Sequence, residues 1–155
     1  MLPQDIKNYA AQFAYRPEVV NAGKLKKKFA KFIVVGMGGS HLAADIVKAW
    51  HPELDLTIWS NYGLPKISEK VLKESLIVLS SYSGNTEEVL DALAAATAKR
   101  YAVVVVASDG KLIRQADKAG IPYVKMPHEN IQPRMATGLS LLALLAAMGE
   151  KTWLL

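Results

Sequence analysis

Five short apolar runs rich in β-branched residues, at positions 32–35, 54–59, 76–79, 102–107 and 123–124, constrain this chain more than anything else in it. Helical patterns at 41–50, 69–73, 85–99 and 111–119 separate them. Parallel strands need long crossover connections, and a helix is the usual one, so strict alternation of strand and helix predicts a parallel sheet covered on both faces. Ile33, Val34 and Val35, and Val103 through to Val106, leave no polar side to their strands, which marks those strands as central. The expected fold is α/β: a three-layer α/β/α sandwich around a five-stranded parallel sheet in the flavodoxin-like order 2-1-3-4-5. In such sheets ligands bind beyond the carboxyl ends of the strands, where the strand order reverses.

With 155 residues, 51% of them apolar and 21% charged, the chain can bury one sound core and has the balance of an ordinary globular domain. No linker or repeat divides it, and residues 1–31 read as an N-terminal helical appendage to a single domain at 32–155. Within the appendage, residues 4–14 suggest a short helix on the edge of the sheet, broken at Pro17. A chain without cysteine has no disulfide, no thiolate metal site and no thiol nucleophile. The apolar stretch 139–148 is too short to span a bilayer and no signal-peptide pattern opens the chain, so a cytoplasmic protein without a membrane partner is expected.

The net charge of +5 owes much to one cluster, Lys24, Lys26, Lys27, Lys28 and Lys31. Without interleaved aromatic residues or a nucleic-acid-binding module, the cluster reads as a solvated face with mild attraction for anionic substrates, and no nucleic-acid partner is expected. The last helical pattern, 135–148, is apolar on almost every side, and the chain finishes on Thr152, Trp153, Leu154 and Leu155. Both features suggest a covering neighbour, a second copy or a second domain.

Two turns carry the functional signal. Ser81, Tyr82, Ser83, Gly84, Asn85 and Thr86 lie between an apolar run and a helical one. A helix begins with unpartnered N–H groups and a partial positive charge, so a hydroxyl-rich turn there suits a phosphate. The alternative is that Asn85 or Thr86 simply caps the helix, although a cap needs one such side chain and this turn offers four. No lysine of the triphosphate-loop type is present, which points to a single phosphate monoester. The other turn is Gly36, Met37, Gly38, Gly39 and Ser40, directly after the first strand. A dinucleotide fingerprint would need a third glycine at His41 and an acid where the chain has Ser60 and Asn61, so no nicotinamide or flavin is implied. The glycines instead permit close backbone approach to a small ligand, with Ser40 offering a hydrogen bond.

A glycine-glycine-serine turn followed by a Ser-x-Ser-Gly-x-Thr turn resembles the sugar isomerase domain of phosphosugar-handling proteins. More narrowly, these turns and the later Gln132, Pro133 and Arg134 ahead of an apolar helix resemble the N-terminal half of the bifunctional phosphoglucose/phosphomannose isomerases. That resemblance implies phosphate-binding hydroxyls at Ser81, Ser83 and Thr86, a sugar-contacting turn at Gly38, Gly39 and Ser40, and enediolate stabilisation by Arg134. It implies neither metal nor organic cofactor, a dimer, and a place in carbohydrate metabolism, in glycolysis or gluconeogenesis. An arginine suits the role because its charge is permanent and its planar fork can hold developing oxyanions.

Aldose–ketose isomerisation also needs a base to move a proton between neighbouring carbons. The resemblance places that glutamate, and a ring-opening histidine, in a C-terminal half that this chain lacks. Glu87 and Glu88 read as residues that complement the helix dipole, leaving His41 and His128 as candidates for proton transfer. The leading expectation is therefore a substrate-binding half of an isomerase interconverting glucose 6-phosphate or mannose 6-phosphate with fructose 6-phosphate, inactive alone and joined by a homodimer partner or a complementary C-terminal half. A stand-alone phosphosugar sensor is the alternative, and a small isomerase completing its site across a dimer is a third.

Overall fold

Every strand expected from the sequence forms in the computed structural model, which describes residues 4–128 and 130–150. The apolar end at 152–155 lies outside the described residues. In chain order the strands are β1 (Val19–Val20), β2 (Lys31–Val35), β3 (Asp55–Trp59), β4 (Ser75–Ser80), β5 (Ala102–Ala107) and β6 (Tyr123–Lys125). They form one sheet in the order β1-β6-β5-β4-β2-β3. Counted from β2, the five parallel strands follow the expected 2-1-3-4-5 order. The sheet nevertheless has six strands rather than five, because β1 adds antiparallel to β6 through Val19 opposite Val124 and Val20 opposite Tyr123. Two valines between Pro17 and a left-handed Asn21 are too short a run to show the period of a strand.

The helices are α1 (Gln4–Lys7), α2 (Leu42–Trp50), α3 (Glu69–Glu74), α4 (Glu87–Ala98), α5 (Gly110–Ala119) and α6 (Thr137–Met148). Alternate residues of each central strand feed opposite faces. Phe32, Val34, Val78 and Val104 pack with Ala44 and Val47 of α2 and Leu139, Ala143 and Leu144 of α6. Ile33, Val35, Ile77, Leu79 and Val105 pack with Leu72 of α3, Val89 and Leu93 of α4 and Leu112 of α5. Each face thus holds a continuous apolar layer, and the strands between them are buried on both sides.

The apolar helix α6 finds its cover within the chain. Its inner side meets β4, β5 and β6, α2 lies alongside, and the tight 3₁₀ stretch Tyr9–Ala14 packs against it. Gln12, itself buried, donates through Nε2 to the Met135 carbonyl at 2.7 Å and accepts from the Leu139 N–H at 3.2 Å. Every residue of α6 is buried or half-buried as a result. Residues 9–14 therefore cover α6 rather than the sheet edge, and residues 4–14 break into α1 and a 3₁₀ stretch rather than one helix. Among the described residues no helix is long and apolar enough to cross a membrane.

Candidate functional site

The chain leaves β2 towards β3 on one side and leaves β4 towards β5 on the other, so the order reverses between the adjacent strands β2 and β4. The turns that follow these two strands face each other across that switch point. After β2, the Gly36 N–H donates to the Trp59 carbonyl at 3.1 Å and its carbonyl accepts from the Ser60 hydroxyl at 2.9 Å, which ties the turn to the end of β3. A 3₁₀ turn, Gly38–His41, then leads into α2. The Ser40 carbonyl accepts from the Ser80 hydroxyl at 2.8 Å, and the buried Ser40 Oγ accepts from the Tyr82 N–H at 3.1 Å. The two turns are thereby bonded to each other.

The turn after β4 shapes itself with its own hydroxyls. Ser81 is completely buried, with its Oγ 2.7 Å from Thr86 Oγ1 and accepting from the Gly84 N–H at 3.1 Å. Ser83 is exposed and its Oγ accepts from the Asn85 N–H at 3.2 Å. Asn85 in turn accepts from the Lys111 N–H at 3.0 Å, at the start of α5. None of these side chains caps α4, whose N-cap residue Thr86 makes no capping bond. By contrast, Ser68 caps α3 by accepting from the Val71 N–H at 3.4 Å. Plain capping thus does not account for the hydroxyls between Ser81 and Thr86, and the first turn of α4 keeps its donors from capping side chains.

A third turn braces the second. Gly84 has φ 70°, and a side chain there would collide with the Asp109 carbonyl oxygen, while one at Gly110 would collide with the Ser83 carbonyl oxygen. The Tyr82 carbonyl accepts from both the N–H and the hydroxyl of Ser108, at 3.0 and 2.6 Å. Ser108 Oγ also lies 3.2 Å from His128 Nδ1. Because the single hydroxyl proton goes to the carbonyl, Nδ1 of His128 is the donor in that contact.

Arg134 stands exposed in the 3₁₀ turn Pro133–Met135, whose backbone rests on the glycine turn. A methyl at Gly39 would sit 2.6 Å from the Arg134 nitrogen, so glycine is what lets the two segments touch. The structure therefore brings Gly38, Gly39, Ser40, Ser81, Ser83, Thr86 and the backbone of Arg134 together beyond the carboxyl ends of β2 and β4. His41 closes the same glycine turn, with Nδ1 2.6 Å from Asp45 Oδ2 one helical turn along α2. Glu87 lies 3.5 Å from the Tyr62 hydroxyl. The Glu88 carboxylate, followed by desolvation and Glu87, holds that phenol above its ordinary value.

Sequence reasoning gave no structural part to Ser60, which ties the glycine turn to the end of β3, or to Ser80 and Ser108, which tie the serine turn to its two neighbours. A shared signal was available, since each stands at or one residue beyond the carboxyl end of a parallel strand. Among the described residues no three His, Asp or Glu side chains are placed to hold a metal ion.

No family model matches the chain. It is 32% identical over 118 residues to the bifunctional phosphoglucose/phosphomannose isomerase of Caldicellulosiruptor bescii, covering 74% of this chain and 34% of that protein. The protein of the same name from Thermoplasma acidophilum is 33% identical over 110 residues, covering 71% and 33%. The chain thus matches about a third of the length of these curated relatives. Among solved structures, a Listeria monocytogenes protein provisionally described as a sugar-phosphate isomerase superposes with a TM-score of 0.66 at 22% identity, over 97% of this chain and 86% of that one. The Vibrio vulnificus NanR protein, solved with ManNAc-6P, gives 0.57 at 14% identity over 94% and 54%. The sugar isomerase domain of an RpiR transcription factor from Sphaerobacter thermophilus gives 0.54 at 16% identity over 97% and 90%. At these identities the structural likeness speaks to the fold.

Proposed function

Because this chain carries a sugar isomerase domain homologous to part of the bifunctional phosphoglucose/phosphomannose isomerases, we propose that it is the phosphosugar-binding domain of an aldose–ketose isomerase acting on glucose 6-phosphate or mannose 6-phosphate and fructose 6-phosphate. The observation that carries this reading is the hydroxyl turn Ser81 to Thr86, which leaves α4 without a capping side chain and stands beside the glycine turn at the strand-order reversal. In this reading the phosphate sits on the first turn of α4, where backbone N–H groups and the helix dipole favour an anion. Ser83 and Thr86 donate to its oxygens, and Ser81 holds Thr86 in place. The sugar carbons then lie over Gly38, Gly39 and Ser40.

Arg134 stands against that turn through its backbone and supplies a permanent positive charge for the oxygens that become negative as the enediolate forms. The proton that moves between the neighbouring carbons needs a base. The curated relatives are much longer than the stretch they share with this chain. We assign the base to a complementary half or a second copy, so the chain alone binds without turning over.

Calorimetric titration with fructose 6-phosphate and glucose 6-phosphate, followed by a coupled isomerase assay on the same sample, tests the reading. It expects binding of the phosphosugars, no binding of unphosphorylated fructose, and no turnover. Turnover by the purified chain would locate the base among these 155 residues and overturn the assignment of a binding half. Absence of phosphosugar binding would overturn the site itself.

A further inference from the structure

A cavity of about 520 Å³ opens at the opposite end of the sheet, where β5 begins and where α4 and α5 end. Its volume is within the range of small-molecule sites, roughly 300–1,000 Å³. Four cations line it, Lys24, Lys26 and Lys27 from the segment ahead of β2 and Arg100 from the end of α4, and no acidic side chain does. The walls between them are apolar and partly aromatic, with Phe29, Tyr101, Ile121 and Pro122. Lys27 Nζ lies 5.0 Å from the centre of the Phe29 ring.

The ordinary explanation of these charges would be that they offset the negative ends of α4 and α5. Those helices bring their own lysines, Lys99 at the end of α4 and Lys118 in the last turn of α5. Two carbonyls of each last turn are also occupied, Ala96 and Thr97 by the N–H groups of Tyr101 and Arg100, and Ala116 and Asp117 by those of Ile121 and Gly120. Among the described residues the cavity's cations form no direct salt bridge, although Lys27 lies near enough to Glu74 to help Lys31 hold that carboxylate low. Lys31 of the same cluster pairs with Glu74 at 3.0 Å.

The backbone at Arg100 adds an independent observation. Helices α4, α5 and α6 all close with the same pair of backbone hydrogen bonds around a left-handed residue. For α5 and α6 that residue is glycine, Gly120 at φ 64° and Gly149 at φ 80°. For α4, the helix that ends at the cavity's cationic rim, it is Arg100 at φ 57°. A side chain with a Cβ is disfavoured in that conformation, so the guanidinium is kept at the rim against the backbone's preference.

We propose that this cavity is a second ligand site, separate from the phosphosugar site, and that it takes a nucleotide: a planar base against the aromatic and apolar wall, with its phosphates among Lys24, Lys26, Lys27 and Arg100. Arginine and lysine recognise phosphate oxygens, and aromatic rings and the guanidinium plane accept a flat base. The volume has room for a base, a ribose and phosphates together, and the aromatic residues of the wall lie beside the cations rather than apart from them. The two sites lie at opposite ends of β5, which runs from Ala102 at the cavity to Ala107 beside the Ser108 turn.

The test is calorimetric titration of the full chain with ATP at physiological salt, with inorganic tripolyphosphate as the control, on the wild type, on a Lys26→Glu/Lys27→Glu double variant and on Arg100→Gly. ATP is expected to bind more tightly than tripolyphosphate, and the double variant to weaken it about tenfold or more. Arg100→Gly is expected to weaken ATP several-fold while raising the Tm by a few degrees, because it relieves the left-handed backbone. Fructose 6-phosphate affinity should be the same in all three proteins. Absence of ATP binding, equal affinity for tripolyphosphate, or variants that leave the ATP Kd unchanged would overturn the proposal. Loss of fructose 6-phosphate binding together with ATP would also overturn it, by showing one shared anion site. A wild type that binds ATP but no phosphosugar would leave this proposal standing and remove the functional reading instead.

Discussion

The two turns at the β2/β4 switch point are built in opposite ways. The glycine turn is held from outside, its carbonyls accepting from Ser60 and Ser80, and its side chains are mostly absent or buried. The serine turn is shaped by its own hydroxyls, Ser81 on Thr86 and Gly84 and Ser83 on Asn85, and is braced by Ser108 and the Lys111 N–H of the third turn. A turn held by its neighbours makes a backbone platform that a ligand can approach closely. In the one held by its own hydroxyls Ser81 is buried as a brace, while Ser83 stays at the surface, where it can exchange its partner in the chain for an oxygen of a ligand.

Substitutions should break this contrast in a graded way. The largest effect is expected at Gly84→Ala, where a left-handed backbone and the Asp109 carbonyl both exclude a side chain. A loss of about 3 kcal/mol or more in denaturant unfolding, together with loss of phosphosugar binding, is the expected outcome. Ser40→Ala comes next, because it removes the buried hydroxyl that accepts from the Tyr82 N–H, one of the two bonds between the turns, and leaves only the Ser80 bond to the Ser40 carbonyl. Thermal or denaturant unfolding should register about 1–3 kcal/mol.

Ser83→Ala sharpens the comparison, since its exposed hydroxyl supports little of the fold and is the one most available to a phosphate. Its Tm should stay within a degree or two of wild type, while fructose 6-phosphate affinity falls about tenfold, the worth of one hydrogen bond to a charged group. A drop in Tm with unchanged affinity would reverse the roles given to the two turns. The smallest effect is expected for His41→Gln, whose imidazole faces Asp45 on α2. Titration should show less than a twofold change in phosphosugar affinity and about 0.5 kcal/mol or less in stability.

Much of the fold was legible because the central strands are unmixed runs of β-branched residues, and burial on both faces leaves no polar position to confuse the pattern. Val19 and Val20 escaped notice because two residues carry no period, and their strand exists only by pairing with β6. The cover over α6 was hidden for a different reason. Gln12 reads as an ordinary polar residue of a terminal helix, and nothing local reveals that its amide will satisfy backbone groups at Met135 and Leu139. At the candidate site, the repeated hydroxyls around Gly84 and the paired glycines at Gly38 and Gly39 stood out as more than a turn requires. Ser60, Ser80 and Ser108 did not, since one serine at the end of a strand is common and its bond to a neighbouring turn depends on the strand order.

The most direct test of the central claim is a backbone amide chemical-shift titration with fructose 6-phosphate, which reports which N–H groups meet the ligand. The account predicts saturable shifts concentrated at Ser83 to Glu88 and at Gly38 to Ser40, with the Thr86 and Glu87 amides among the largest. Shifts confined to other parts of the chain, or none at millimolar ligand, would contradict it.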